Sequence, residues 1–128
     1  MSKSKTILVV DDEKSILSIF EFILQQAGYE ALIANSGEEC LDILASGKKI
    51  HLIFLDIKMS KMTGIETFKK IQALCPNQLV MMMTGFGVDS LLKDAYELGA
   101  YGVIYKPFDV EEVLSTIDTI FKLPAHVM

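Results

Sequence analysis

Four short apolar runs, residues 7–10, 52–55, 79–83 and 103–105, punctuate a chain of 128 residues, with helix-period stretches between them and a charged or hydroxyl side chain after each. Strands that alternate with helices pair in parallel, because a helical crossover brings the chain back in the same direction. The spacing predicts strands near 6–10, 30–34, 51–55, 79–83 and 102–105, and helices near 13–27, 37–47, 64–74, 88–98 and 110–122. In a parallel sheet the carboxyl ends of all strands lie along one edge, where open α/β folds bind ligands. Asp11, Asp12, Asp56, Thr84 and Lys106 follow the runs. Three carboxylates, a hydroxyl and an ammonium are therefore expected to converge.

The length suits one domain, 1–128, with a core over about 5–122 and residues 123–128 as a tail or the start of a linker. A net charge of −5 argues against direct binding to nucleic acid, which needs a concentrated basic surface. The basic start is followed by too few apolar residues for a secretory leader, and no stretch approaches the roughly 18 apolar residues of a membrane span. A cytoplasmic protein without membrane contact is expected. Cys40 and Cys75 lack metal-ligand spacing and read as small packed hydrophobes without a disulfide.

Helix starts are marked by Ser36 with Glu39, Thr63 with Glu66 and Asp109 with Glu112, each a short polar residue followed three later by Glu. On the first helix, Ile16, Phe20, Ile23 and Ala27 form an apolar stripe flanked by Leu17, Leu24 and Ile19, while Phe22 points to the far side. Phe22 reads as a single exposed apolar residue or as part of a partner surface.

Three carboxylates held together repel one another unless a cation sits among them. Oxygen-only ligands favour Mg²⁺, or Mn²⁺ in its place, over zinc. Asp11, Asp12, Asp56 and one loop carbonyl, that of Lys58, are assigned to that shell, with Asp12 also a candidate cap for the first helix. Lys106 and Thr84 add donors that a structural metal would not need, and so suggest a phosphoryl group beside the metal. Asp56, alone at the end of the central run, is the expected nucleophile and an aspartyl phosphate the product.

These residues give the sequence a strong resemblance to the receiver domains of two-component response regulators. The likeness spans nearly the whole chain: Asp11-Asp12, Asp56 within Leu55 to Met59, Gly64 opening the third helix, Thr84-Gly85, Gly99-Ala100, and Lys106-Pro107-Phe108. It implies a flavodoxin-like, doubly wound five-stranded parallel sheet in the order 2-1-3-4-5 flanked by five helices. It also implies a cis peptide at Lys106-Pro107. The function implied is phosphoryl transfer from a histidine kinase, or a histidine phosphotransfer domain, to Asp56. Thr84 would then be drawn inward, switching the face of helix 4, strand 5 and helix 5 towards an effector or a second copy. Such a domain catalyses only its own phosphorylation and slow dephosphorylation.

Departures from the common pattern are Val103 where an aromatic switch residue is frequent, Ser60 in place of proline and Thr63 in place of aspartate. Tyr105 is expected on the opposite face from Val103, and so not as its substitute. By the same resemblance Lys58 and Phe86 occupy variable positions lining the site, and read either as solvated side chains without kinetic effect or as restricting the attacking water and lengthening the life of the phosphate; timing its loss in Lys58→Asn distinguishes the two. His51 and His126 are expected to lie away from the site.

Three rivals share some of these features. A phosphatase of the haloacid dehalogenase class would carry an acid two residues after its nucleophile, where this chain has Lys58. A dinucleotide-binding domain would need a last glycine that the stretch Gly85 to Ser90 lacks. A phosphorylation-independent interaction module on the same fold would be expected to lose members of the five-residue set.

Overall fold

The computed structural model describes residues 5–85 and 89–122. Strands β1 (Thr6–Val10), β2 (Glu30–Ala34), β3 (Leu52–Asp56), β4 (Val80–Thr84) and β5 (Gly102–Tyr105) alternate with helices α1 (Lys14–Gln26), α2 (Gly37–Ala45), α3 (Gly64–Leu74), α4 (Asp89–Leu98) and α5 (Val110–Lys122). All four ladders are parallel, and the strand order is β2-β1-β3-β4-β5. This is the doubly wound sheet expected.

Strands β1, β3 and β4 are buried along their whole length, as a sheet covered on both faces demands. Alternation divides their side chains. Ile7, Val9, Leu52, Phe54, Met81 and Met83 pack with Leu17, Phe20 and Leu24 of α1 and Val113, Ile117 and Ile120 of α5. Leu8, Val10, Ile53, Leu55, Val80 and Met82 pack with Cys40 and Leu44 of α2, Phe68 and Ile71 of α3 and Ala95 of α4.

Several boundaries differ from expectation for local reasons. β3 and β4 run one residue later than predicted, because Asp56 pairs with Met83 and Thr84 with Tyr105. The ladder therefore continues through the first polar residue. α2 ends at Ala45 rather than near 47, where Gly47 turns the chain with φ +89.

Asp12 does not cap α1: the N-cap position belongs to Glu13, with no side-chain cap bond. Ile19 is 51% exposed rather than at the flank of the buried stripe; about 100° from Phe20 on the wheel, it clears the sheet. Phe22 points outward, as expected, at 65% exposure. Thr63 and Glu66 form a complete capping box. Glu39 instead reaches past Ser36 to the Asn35 N–H, while Ser36 and Asp109 each accept from the residue three positions on. Phe86 and the tail from residue 123, with His126, lie outside the described residues.

Candidate functional site

Register explains why two of the acids meet. Val9 pairs with Phe54 and Val10 with Leu55, so Asp11 comes level with Asp56, and both continue the side of the sheet that faces α1 and α5. Asp11 and Asp56 are buried, Asp12 is exposed, and one carboxylate oxygen from each lies within 4.8 Å of the others. Lys106 enters from the turn after β5. Its own N–H donates to the Thr84 carbonyl at 2.7 Å, and the Lys106–Pro107 peptide is cis, as the resemblance implied.

The Lys106 ammonium stands 2.8 Å from Asp11 Oδ2, 3.3 Å from Asp56 Oδ2 and 3.2 Å from Glu13 Oε1. It hydrogen-bonds to Asp56 and Glu13. The Asp11 contact is an ion pair without hydrogen-bond geometry, so Asp11 Oδ2 is a buried oxygen that no described donor satisfies. Asp11 Oδ1 accepts from the Glu13 N–H, and Asp56 Oδ1 from the Lys58 N–H at 3.1 Å. Asp12 Oδ2 accepts from the Ser60 N–H at 3.0 Å, which fastens the β3–α3 loop to the acidic pair.

Burial pushes the Asp56 carboxyl up to about 7, with the Asp11 charge adding to it and Lys106 and the Lys58 N–H opposing. Burial alone would lower Lys106, but the Asp11, Asp56 and Glu13 carboxylates outweigh it and hold the ammonium well above its ordinary range. An all-oxygen donor set with one unsatisfied buried carboxylate oxygen fits a hard divalent cation such as Mg²⁺ or Mn²⁺.

Four of the five expected residues converge. Thr84 reaches the same edge, but alternation gives it the side of Val80 and Met82, and its hydroxyl donates to the Gly85 carbonyl at 3.2 Å. Asp12, Glu13, Asp56, Lys58, Met59, Ser60, Gly85 and Lys106 line the shallow cleft at this edge. Glu13 escaped the sequence reading, although a third acid directly after Asp11-Asp12 was the available signal.

His51 sits at the opposite end of the sheet, where its Nδ1 accepts the Thr6 N–H at 2.9 Å. Val103 and Tyr105, two residues apart, share a side of β5, contrary to expectation. Val103 packs into the core of the α2, α3 and α4 side, whereas Tyr105 is 56% exposed.

A family model described as the response regulator receiver domain matches residues 7–118. The chain belongs to the response regulator receiver family. This receiver domain of a two-component system is 30% identical over 123 residues to sporulation initiation phosphotransferase F of Bacillus subtilis, covering 96% of this chain and 98% of that protein. It is 34% identical over 112 residues to the transcriptional regulatory protein ZraR of Escherichia coli, covering 88% of this chain but 25% of that protein. A solved receiver domain protein from Clostridium thermocellum superposes with a TM-score of 0.87 at 30% identity, covering 97% of this chain and 99% of that one. ZraR is by name a transcriptional regulator, so the relatives lend no support to the expectation that nucleic acid is not bound. No described helix is long and apolar enough to cross a membrane.

Proposed function

We propose that this receiver domain accepts a phosphoryl group on Asp56. The observation that carries the reading is the Asp11, Asp12 and Asp56 cluster, with the Lys106 ammonium 3.3 Å from the Asp56 carboxylate. Asp56 Oδ2 supplies the nucleophile, and Lys106 stands where it can neutralise a phosphoryl oxygen. Asp11, Asp12, Asp56 and the backbone carbonyl of Lys58 would hold Mg²⁺, or Mn²⁺ in its place. Bound there, the ion supplies positive charge against the phosphoryl oxygens. The Ser60 N–H bond to Asp12 and the Lys58 N–H bond to Asp56 hold the β3–α3 loop beside these carboxylates.

The donor is the phosphohistidine of a sensor histidine kinase or a histidine phosphotransfer domain, in the cytoplasm. A relative that the chain spans almost end to end is by name a phosphotransferase, which favours a relay step. Once a phosphoryl group is in place, the Thr84 hydroxyl exchanges the Gly85 carbonyl for a phosphoryl oxygen. That movement biases the α4–β5–α5 face, where Tyr96, Tyr101, Tyr105 and Val110 stand exposed for an effector or a second copy. The domain turns over no other substrate. Intact mass after incubation with acetyl phosphate and Mg²⁺ tests the reading: one added phosphoryl group is expected, absent in Asp56→Ala, and a gain retained by that variant would overturn it.

A further inference from the structure

Lys106 meets a carboxylate that the acceptor chemistry does not require. Glu13 Oε1 lies 3.2 Å from its ammonium although the Glu13 side chain is 60% exposed. Glu13 occupies the N-cap position of α1 but makes no side-chain cap bond, and its own N–H is already held by Asp11. Its carboxylate makes no hydrogen bond to the helix end, and instead reaches a residue 93 positions away in sequence.

A lysine ammonium has three N–H donors, and Asp11, Glu13 and Asp56 surround this one. Two of those donors already bind Glu13 and Asp56, and a phosphoryl oxygen arriving beside Asp56 brings a fourth anionic group to an ammonium that can serve at most three, so one contact must be given up. Asp11 is buried and would be left as an unpaired charge. Asp56 is the group being modified. Glu13 alone can return to water at little cost.

We propose that Glu13 is a positioning residue, which holds the Lys106 ammonium at the mouth of the site while Asp56 is unmodified and releases it to the phosphoryl group. The inference rests on the phosphoryl-acceptor reading. In the transfer itself the bond from donor to phosphorus breaks with its electron pair leaving on the donor, and a bond forms from the Asp56 oxygen to phosphorus. Lys106 keeps its three protons and exchanges one acceptor for another.

Glu13→Gln and Glu13→Asp in the full chain test this with two readouts. In the unphosphorylated protein, both variants are expected to shift and mobilise the Lys106 ε-methylene NMR signals, since aspartate is one methylene too short to hold the contact. With acetyl phosphate and Mg²⁺, both are expected to gain phosphate about two- to fivefold faster, the scale of an exposed ion pair. Unchanged Lys106 signals in both variants would overturn the tether whatever the rates. A faster Glu13→Gln beside an unaltered Glu13→Asp would reduce Glu13 to a charge at the mouth, and overturn it too. Failure of the wild-type protein itself to gain phosphate would instead remove the acceptor reading, and the release step with it.

Discussion

Lys106 Nζ and Asp56 Oδ2 stand 3.3 Å apart, joining the turn after β5 to the end of β3 across the intervening strand β4. Lys106 opposes the burial that raises Asp56 and, among the described residues, is the one cation in contact with both buried carboxylates. Replacing it with Met is expected to move the Asp56 titration above 7. At pH 8 the substitution should also destabilise the protein by about 3 kcal/mol, the cost of leaving buried charge unpaired. Carboxyl ¹³C titration and urea unfolding check the two effects. An unmoved Asp56 would mean that the ammonium is not its main counter-charge.

The raised Asp56 sets a direction for stability against pH. Its carboxyl goes from an ordinary 3.8 to about 7 in the folded protein, so the native state holds the proton more tightly than the unfolded chain. The stabilisation this brings is complete below about pH 4, is lost as pH rises towards 7, and leaves a buried ionised carboxylate above that. Without divalent ions, Asp56→Asn is expected to be more stable than the wild type at pH 8 by on the order of 2 kcal/mol, with a smaller margin at pH 5. Urea unfolding in EDTA at both pH values checks it, and a margin that fails to widen would argue against the burial account.

Divalent cations should reverse that penalty. Mg²⁺ is expected to raise the unfolding free energy by about 2.7 kcal/mol at a hundred times its Kd, seen as a higher midpoint, and chelator should return it to the starting value. Asp11→Asn and Asp12→Asn should each weaken the ion's binding by about tenfold or more, since each removes a hard anionic ligand. Titration calorimetry checks the affinities. Equal affinity in all three proteins would place the ion elsewhere.

Gly64 holds the acidic edge together from below. Its N–H donates to the Ile57 carbonyl at 2.8 Å, and an added Cβ would overlap the Asp56 carbonyl oxygen and sit 2.6 Å from Ile57 Cα. Backbone cannot yield as a side-chain tip can. Gly64→Ala is expected to cost about 2–3 kcal/mol and to weaken Mg²⁺ binding, because the clash falls on the residue carrying the nucleophile. A variant as stable as wild type would show that α3 can shift freely.

Much of this was legible in the sequence because both faces of the sheet are covered, so central strands appear as unbroken apolar runs and their ends as abrupt polar residues. That logic located Asp11, Asp56 and Lys106. It could not say which side of the pleat each side chain takes once the strand continues one residue further. For that reason Thr84 was expected among the acids, when its hydroxyl turns to Gly85. Nor did it foresee that Asp12 would bind the Ser60 N–H rather than cap α1, a contact set by a loop 48 residues away. Glu13 was missed for a related reason: its partner Lys106 lies at the far end of the chain, and no local pattern joins them.

The central claim is that Asp56 carries the phosphoryl group, and its most direct test is to locate the group. Borohydride reduction of the protein treated with acetyl phosphate and Mg²⁺ converts an aspartyl phosphate to homoserine, which peptide mass mapping finds by position. The account predicts homoserine at position 56 and nowhere else, dependent on Mg²⁺. Phosphate-dependent reduction at Asp11 or Asp12, or at no residue in protein that has gained phosphate, would contradict it.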